Sequence, residues 1–289
     1  MNSVLSRVSR AGVAGAAAVA MFSSVMVPVA LAGVAPEECP AVVVLAARGS
    51  DQNEEYGEYF GPQRYSDASQ PSNGHEGPNI SALLHQVEQR HPGTMDDVYV
   101  RALDPEEYPA SMDLPAIAEE GENLNPLQVL QRLGEILRDY PLGDLVYSVT
   151  LGVVDSLRTG VESAPRVVAE YEQSTGCNPQ YVLAGYSQGA LVTASIEKQL
   201  AQEGKLAGVI TMGNPVGQLP WRSWQGELPP ERRVDYCLDG DVVCDFSLQA
   251  ASDALATKME THASYFLGEP TANDVVVIDA VAGILSAHD

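Results

Sequence analysis

The chain has 289 residues and carries 39 acidic side chains against 16 Lys and Arg, a formal net charge of −23. That balance excludes polyanionic partners: nucleic acid and anionic lipid surfaces both repel it, and no basic patch argues otherwise. The acidity is read as solubility outside the cell and does not identify a substrate. At the N-terminus, Arg7 and Arg10 precede an uncharged Ala/Val-rich run from Ala11 to Ala32 that ends in Ala30-Leu31-Ala32. A basic start, an apolar run and a small-x-small ending describe a secretory signal peptide. Residues 1–32 are therefore expected to be a leader, with a mature chain of one domain, 33–289, long enough for a substantial core. An uncleaved anchor is the alternative, since the run is about long enough to span a bilayer. Pro28 and the Ala-Leu-Ala ending favour cleavage. Removing Arg7 and Arg10 with no acid moves the charge from −23 to about −25.

Short apolar runs then alternate with helical patterns. Strands are expected at Ala41–Ala47, Val98–Ala102, Tyr181–Ala184, Gly208–Met212 and Arg233–Cys237. Helices are expected at Ile80–Arg90, Ala164–Glu172, Gln188–Leu200 and Asn273–Leu285; in the last, Val277, Ile278, Val281, Ala282 and Leu285 recur at helical spacing. Uniformly apolar strands separated by helices imply a parallel sheet covered on both faces. In such a sheet, ligands bind at the carboxyl ends of the strands. Ser50 lies just past the first strand, in Ala47-Arg48-Gly49-Ser50; Ser187 follows a third, and Asp241 follows the last.

Gly185-Tyr186-Ser187-Gln188-Gly189 carries the strongest chemical signal. It joins an apolar strand to an amphipathic helix, the strand–turn–helix setting in which G-x-S-x-G presents a nucleophile. Glycines two before and two after the serine leave room for a tight turn. The amide of Gln188, at the helix N-terminus, is placed where negative charge develops during acyl transfer. A helix N-cap serine is the competing reading of the same pattern. A nucleophilic serine needs a base, and the base needs an acid to fix its tautomer. Of His75, His85, His91, His262 and His288, only the last two follow Ser187, and His288 is one residue from the end. His262 is therefore the expected base. Between them lies Cys237-Leu238-Asp239-Gly240-Asp241-Val242-Val243-Cys244, a segment that a disulfide could make rigid. Asp241 follows a turn-permitting glycine and precedes two apolar residues, so it is the expected acid, with Asp239 its competitor.

The cysteines, Cys39, Cys177, Cys237 and Cys244, are even in number, as suits two disulfides with three possible pairings. Their spacing does not suit zinc. Cys39 and Cys177 each precede a strand. If those strands are neighbours, about 4.8 Å apart, the two thiols fall within disulfide range and leave Cys237 for Cys244.

Taken together, Cys39 with Ala47-Arg48-Gly49-Ser50, Cys177 with G-Y-S-Q-G, the C-x-x-G-D-x-V-C of Cys237–Cys244, and His262 resemble, in order, the motifs of the cutinase family, secreted serine esterases of fungi and actinobacteria. The leader looks bacterial, so the resemblance is to an actinobacterial cutinase-like protein. It implies a three-layer α/β/α sandwich on a central five-stranded parallel sheet, an α/β-hydrolase of the cutinase type. It also implies catalytic Ser187, Asp241 and His262, an oxyanion hole from Ser50 and the amide of Gln188, disulfides Cys39–Cys177 and Cys237–Cys244, and no cofactor or metal. The expected substrates are lipid-like or polymeric esters, cleaved by a secreted monomer with no nucleic-acid partner and no stable membrane anchor. An acetylxylan esterase or a phospholipase or lipase on the same framework is the alternative; a secreted binding or antigenic protein with a vestigial site is the non-enzyme one. One departure from compact members is a longer stretch before Ser187. The excess, 113–157, is expected to be a helical insert opened by Asn125-Pro126, with Leu127, Leu130, Leu133, Ile136 and Leu137 on one face and Leu142, Leu145, Val146, Val149 and Val153 following. It could cover the acyl groove or be a permanently packed layer.

Overall fold

Each of the five apolar runs forms a strand in the computed structural model, which describes residues 39–53, 61–112, 142–217, 228–245 and 260–288. The strands are β1 (Val42–Ala47), β2 (Val98–Ala102), β3 (Gln180–Tyr186), β4 (Leu206–Met212) and β5 (Arg233–Tyr236). They depart from the expected ranges by one or two residues at the ends. Every residue of β1 and β4 is buried, which is why both read as continuous apolar runs without alternation. All pairings are parallel, in the order β2-β1-β3-β4-β5.

Parallel neighbours need crossovers, and these supply α1 (Pro78–Arg90), α2 (Leu142–Thr175) and α3 (Gln188–Gln202), while the short α4 (Glu260–Ala263) and α5 (Ala272–Leu285) follow the last strand. Alternate residues of β1 divide the core. Val42, Val44 and Ala46 pack with Ile80, Leu83, Leu84 and Val87 of α1 and Val277, Ile278 and Val281 of α5. Val43, Leu45 and Ala47 pack with Val167 and Val168 of α2 and Val192, Ile196 and Leu200 of α3. The result is a three-layer α/β/α sandwich, and each fully buried Val, Leu or Ile contributes about 1.5–3 kcal/mol. Thr271 and Asp274 form a reciprocal capping box at the start of α5.

Helix α2 differs from expectation. The sequence suggested a helix over Ala164–Glu172, after an insert ending at residue 157. Instead one helix of 34 residues runs through Pro165. Proline lacks the N–H that would bond the carbonyl of Val161. Val161 is 39% exposed, so this gap lies on the solvent side, where water can take the missing place. Of the expected insert, 142–157 forms the first half of α2. The stripe Leu127 to Leu137 lies outside the described residues, as does the expected leader 1–32.

The two disulfides follow the sheet and the last loop. Val42 is in register with Gln180, and three residues upstream of each stand Cys39 and Cys177. Their Cα atoms are 5.5 Å apart and the bond is formed. Cys237 and Cys244 close the second bridge. No free cysteine is found among the described residues.

The first bridge spans 138 residues and the second 7. Loop-closure entropy then assigns them about 5 and about 2.5 kcal/mol of stabilisation. Thermal unfolding of Cys39→Ala/Cys177→Ala should show a larger loss of Tm than Cys237→Ala/Cys244→Ala. The opposite ranking would mean that the short bridge acts by holding the native loop rather than by restricting the unfolded chain.

Candidate active site

The sheet order reverses between β1 and β3, so their carboxyl ends flank a crevice. Ser187 stands there, as the one residue between β3 and α3. Its backbone has φ 51 and ψ −120, a conformation that L side chains rarely adopt. Two glycines make the turn possible. A Cβ on Gly185 would lie 2.6 Å from the Cα of Ala190, and one on Gly189 would lie 2.0 Å from the carbonyl oxygen of Ala47. The Ser187 N–H donates to the Met212 carbonyl at 2.9 Å, tying the turn to β4.

His262, on α4, places Nε2 2.8 Å from Ser187 Oγ. Its Nδ1 lies 2.8 Å from Asp241 Oδ2 and 3.0 Å from Oδ1. A carboxylate at Nδ1 holds the ring proton there and leaves the Nε2 lone pair for the serine hydroxyl. Asp241 is buried, while its competitor Asp239 is exposed on the preceding turn. Burial alone would raise the Asp241 pKa. Hydrogen bonds from His262 and Tyr265, the nearby imidazole charge and the Val243 N–H outweigh it and hold the carboxyl below its ordinary value. The other histidines lie elsewhere: His91 pairs with Asp279, and the pKa values of His75 and His85 are lowered, chiefly by burial.

Three residues that the sequence did not single out complete this arrangement. The Tyr265 hydroxyl donates to Asp241 Oδ2 at 2.6 Å and accepts the Leu238 N–H at 3.0 Å. Burial, then the Asp241 carboxylate, raise its pKa. Gly213, at φ 55, leaves the dyad its space: a Cβ there would lie 2.7 Å from His262 Cε1 and 3.2 Å from Asp241 Oδ2. The Tyr186 hydroxyl donates to the His262 carbonyl at 2.5 Å, and the two rings stack at 5.3 Å. In sequence, Tyr265 lies three residues after His262 and Gly213 ends the β4 run; neither spacing by itself signals a role.

The expected oxyanion donors come from the two crevice walls. Gln188 opens α3, and its first turn rests on the carbonyls of Ala47 and Arg48, beside the half-buried turn that holds Ser50. That turn is pinned to the loop after β2: the Asp51 N–H donates to the Ala110 carbonyl and Met112 N–H to Asp51 Oδ1. Arg48 is buried beneath it. Its guanidinium donates to the carbonyls of Leu103 and Tyr108, both at 2.7 Å, and lies over the Tyr108 ring. Desolvation lowers its pKa. Tyr108 in turn donates to the Gln188 side chain at 2.8 Å, so the buried cation braces both walls. Among the described residues, no group of three or more His, Cys, Asp or Glu is placed to hold a metal. No described helix is long and apolar enough to cross a membrane.

Residues 143–275 match the model of the family described as Cutinase. Among solved structures, it is similar to a Trichoderma reesei cutinase in complex with a C11Y4 phosphonate inhibitor. The identity is 18% and the TM-score 0.43, over 86% of this chain and 78% of that one. No curated protein matches the chain.

Replacing Tyr265 with Phe removes a hydrogen bond to a charged acceptor, about 1.5–3 kcal/mol, and strands the Leu238 N–H. Asp241 has a depressed folded-state pKa, so its contribution is present above the ordinary Asp value and is lost as pH falls through the folded value. Tyr265→Phe raises that folded value and narrows the gap. Urea unfolding across a pH series should therefore show the largest deficit near neutrality, shrinking as the carboxyl protonates. A deficit independent of pH would assign Tyr265 to packing alone.

Proposed function

We propose that the protein is a secreted serine esterase, a carboxylic ester hydrolase in which Ser187, His262 and Asp241 act as one unit. The observation that supports this most is the unbroken run of contacts from Asp241 Oδ2 through the His262 ring to Ser187 Oγ, each 2.8 Å, at the crevice between β1 and β3. His262 takes the hydroxyl proton as Ser187 Oγ attacks the ester carbonyl. Asp241 orients the ring and stabilises the imidazolium. Ser50 and the Gln188 amide stabilise the oxyanion of the tetrahedral intermediate. On collapse, His262 returns the proton to the leaving alcohol, and the same histidine activates the water that hydrolyses the acyl-enzyme.

Lipid-like or polymeric esters are the substrates this reading favours, and no cofactor or metal enters it. Residues 1–32 act as a leader removed on export, 33–289 form the enzyme domain with 113–157 as a helical insert, and the mature protein works as a monomer. Two disulfides suit an oxidising compartment. Rates on p-nitrophenyl esters of increasing chain length, beside acetylxylan and a phospholipid, separate the substrate classes.

Ser187→Ala and His262→Ala should each remove nearly all hydrolysis of p-nitrophenyl butyrate, with the double variant little worse than either. A fluorophosphonate probe should label the parent but not Ser187→Ala. Asp241→Asn should be severe and Asp239→Asn mild; the reverse would move the acid to Asp239. A parent that neither turns over esters nor takes the label would instead be a binding protein with a vestigial site.

Ser50→Ala should lower kcat about 10²–10³-fold, the loss expected of one oxyanion donor, with little effect on KM. A change confined to KM would mark Ser50 as a substrate contact.

A further inference from the structure

The proposed catalytic groups stand on two loops with no chain connection nearby. Gly49 and Ser50 follow β1, and His262 lies more than two hundred residues later on α4, a helix of 4 residues. So short a helix has almost no internal hydrogen bonding and cannot fix its own position. Two carboxamide side chains join the loops. The Gly49 N–H donates to Gln52 Oε1 at 3.0 Å, and Gln52 Nε2 donates to Asn79 Oδ1 at 2.5 Å. Asn79 Nδ2 gives its two hydrogens to the carbonyls of Ala263, at 3.0 Å, and Tyr265, at 2.9 Å. The relay therefore starts one residue before Ser50 and ends one residue after His262.

Its polarity is forced at both ends. A backbone N–H can meet only the oxygen of Gln52, and two backbone carbonyls can meet only the NH₂ of Asn79. The two amides must then run head to tail, which is how they meet. The surroundings are shaped for them. Asn79 is fully buried, at the second position of α1. A Cβ on Gly77 would lie 2.7 Å from Gln52 Oε1 and 2.9 Å from Arg48 Cβ, and one on Gly49 would lie 2.6 Å from the Tyr186 ring and 3.3 Å from Gln52 Oε1. Glycine at both positions keeps open the slot that the Gln52 side chain fills. Neither amide is hydrogen-bonded to Ser187, Asp241 or the His262 ring.

From this we infer that Gln52 and Asn79 are positioning residues that set the distance between the oxyanion loop and the general base. The inference rests on the reading of Ser187, His262 and Asp241 as the catalytic unit. A transition state needs the base and the oxyanion donors on one tetrahedral centre at once, and misplacement by about 1 Å costs up to about 10²-fold in rate. Substrate binding makes no such joint demand. Loss of the relay should therefore appear in kcat and not in KM. An anchor that merely holds α1 in place would instead lower stability and leave the turnover of folded molecules unchanged.

The test uses the full mature chain with p-nitrophenyl butyrate, and four single variants measured beside Ser187→Ala. Gln52→Glu keeps the acceptor for Gly49 but sets a carboxylate against Asn79 Oδ1. Asn79→Asp loses both donors to the histidine loop. Because Asn79 is buried, Asn79→Asp and Asn79→Ala are the variants at risk of not folding; Gln52 is half-buried, so Gln52→Glu and Gln52→Ala decide the matter by themselves. The expected result is a fall in kcat of about 10–100-fold with KM within about twofold, and a matching slowing of fluorophosphonate labelling. The double variant Gln52→Ala/Asn79→Ala should be no slower than the worse single one, since both break one relay. Parental kcat in folded Gln52→Glu and Gln52→Ala, with Ser187→Ala inactive, overturns the inference alone. Full multiplication of the two single effects overturns the claim that the amides act as one device. Parental turnover by Ser187→Ala overturns the catalytic reading and this inference with it.

Discussion

Helix α3 begins against the end of strand β1, and no side chain fits between them. A Cβ on Gly189 would lie 2.0 Å from the Ala47 carbonyl oxygen and 2.5 Å from that of Arg48. This approach decides the geometry around it. One residue, Ser187, separates β3 from α3, and β3 is held in register against β1 from Val42↔Gln180 to Ala47↔Gly185. With the strand fixed and the helix pressed onto its neighbour, that single residue must turn the chain alone. A positive φ at a non-glycine residue costs on the order of 1–3 kcal/mol and persists only where its surroundings impose it. Burial of Val192, Ile196 and Leu200 along α3 offsets that cost. The strain sits at Ser187 in the crevice, and the burial that offsets it lies in the α2/α3 layer.

The two buried charges near the crevice are handled differently. Arg48 is stabilised by backbone carbonyls and an aromatic face, an arrangement that orients loops without fixing a proton. Asp241 is surrounded by donors from three directions: the His262 ring, the Tyr265 hydroxyl and the Val243 N–H. Removing water strengthens each of those bonds, and the group stays ionised in spite of burial. Asp239, two residues away, has no such shell and is exposed. The Cys237–Cys244 bridge closes a loop small enough to direct one acid inward and leave the other in water.

Much of this was legible in the sequence because it is local or follows from the sheet. β1, β3 and β4, buried on both faces, are continuous apolar runs, and the edge strands β2 and β5 keep shorter apolar stretches, so all five were found within a residue or two. Ser187 and Asp241 were legible because each follows a strand, and His262 because it comes late enough in the chain; the structure brings these side chains together. Cys39 and Cys177 lie at equal offsets from paired residues, so the sheet register that joins the strands also joins the thiols. Helix α2 was read in two pieces, the end of the insert at residue 157 and a helix from Ala164; whether a proline such as Pro165 starts a helix or interrupts one depends on the solvent exposure of the preceding turn, which sequence does not give. Asn79 was invisible for a different reason. Its acceptors lie 184 and 186 residues away, and an asparagine near a helix start has an ordinary local explanation. Gly213 and Tyr265 likewise acquire meaning only once Asp241 and His262 are adjacent.

The crevice is assembled from both faces of the sheet. Ser187 is carried by α3, which packs with α2 on one face; the histidine loop is held from the other, where α1 and α5 pack. Asn79 and Gln86 of α1 donate to the carbonyls of Ala263, Tyr265 and Phe266, and Tyr186 of β3 donates to that of His262. A loop whose own helix is one turn long thus borrows its rigidity from longer elements. The sheet between the two layers then sets the scale of the site. Strand spacing is fixed by backbone hydrogen bonds at about 4.8 Å. Ser187, tied to β4 through the Met212 carbonyl, and His262, held by α1, Tyr186 and Asp241, meet at 2.8 Å at this end of the sheet.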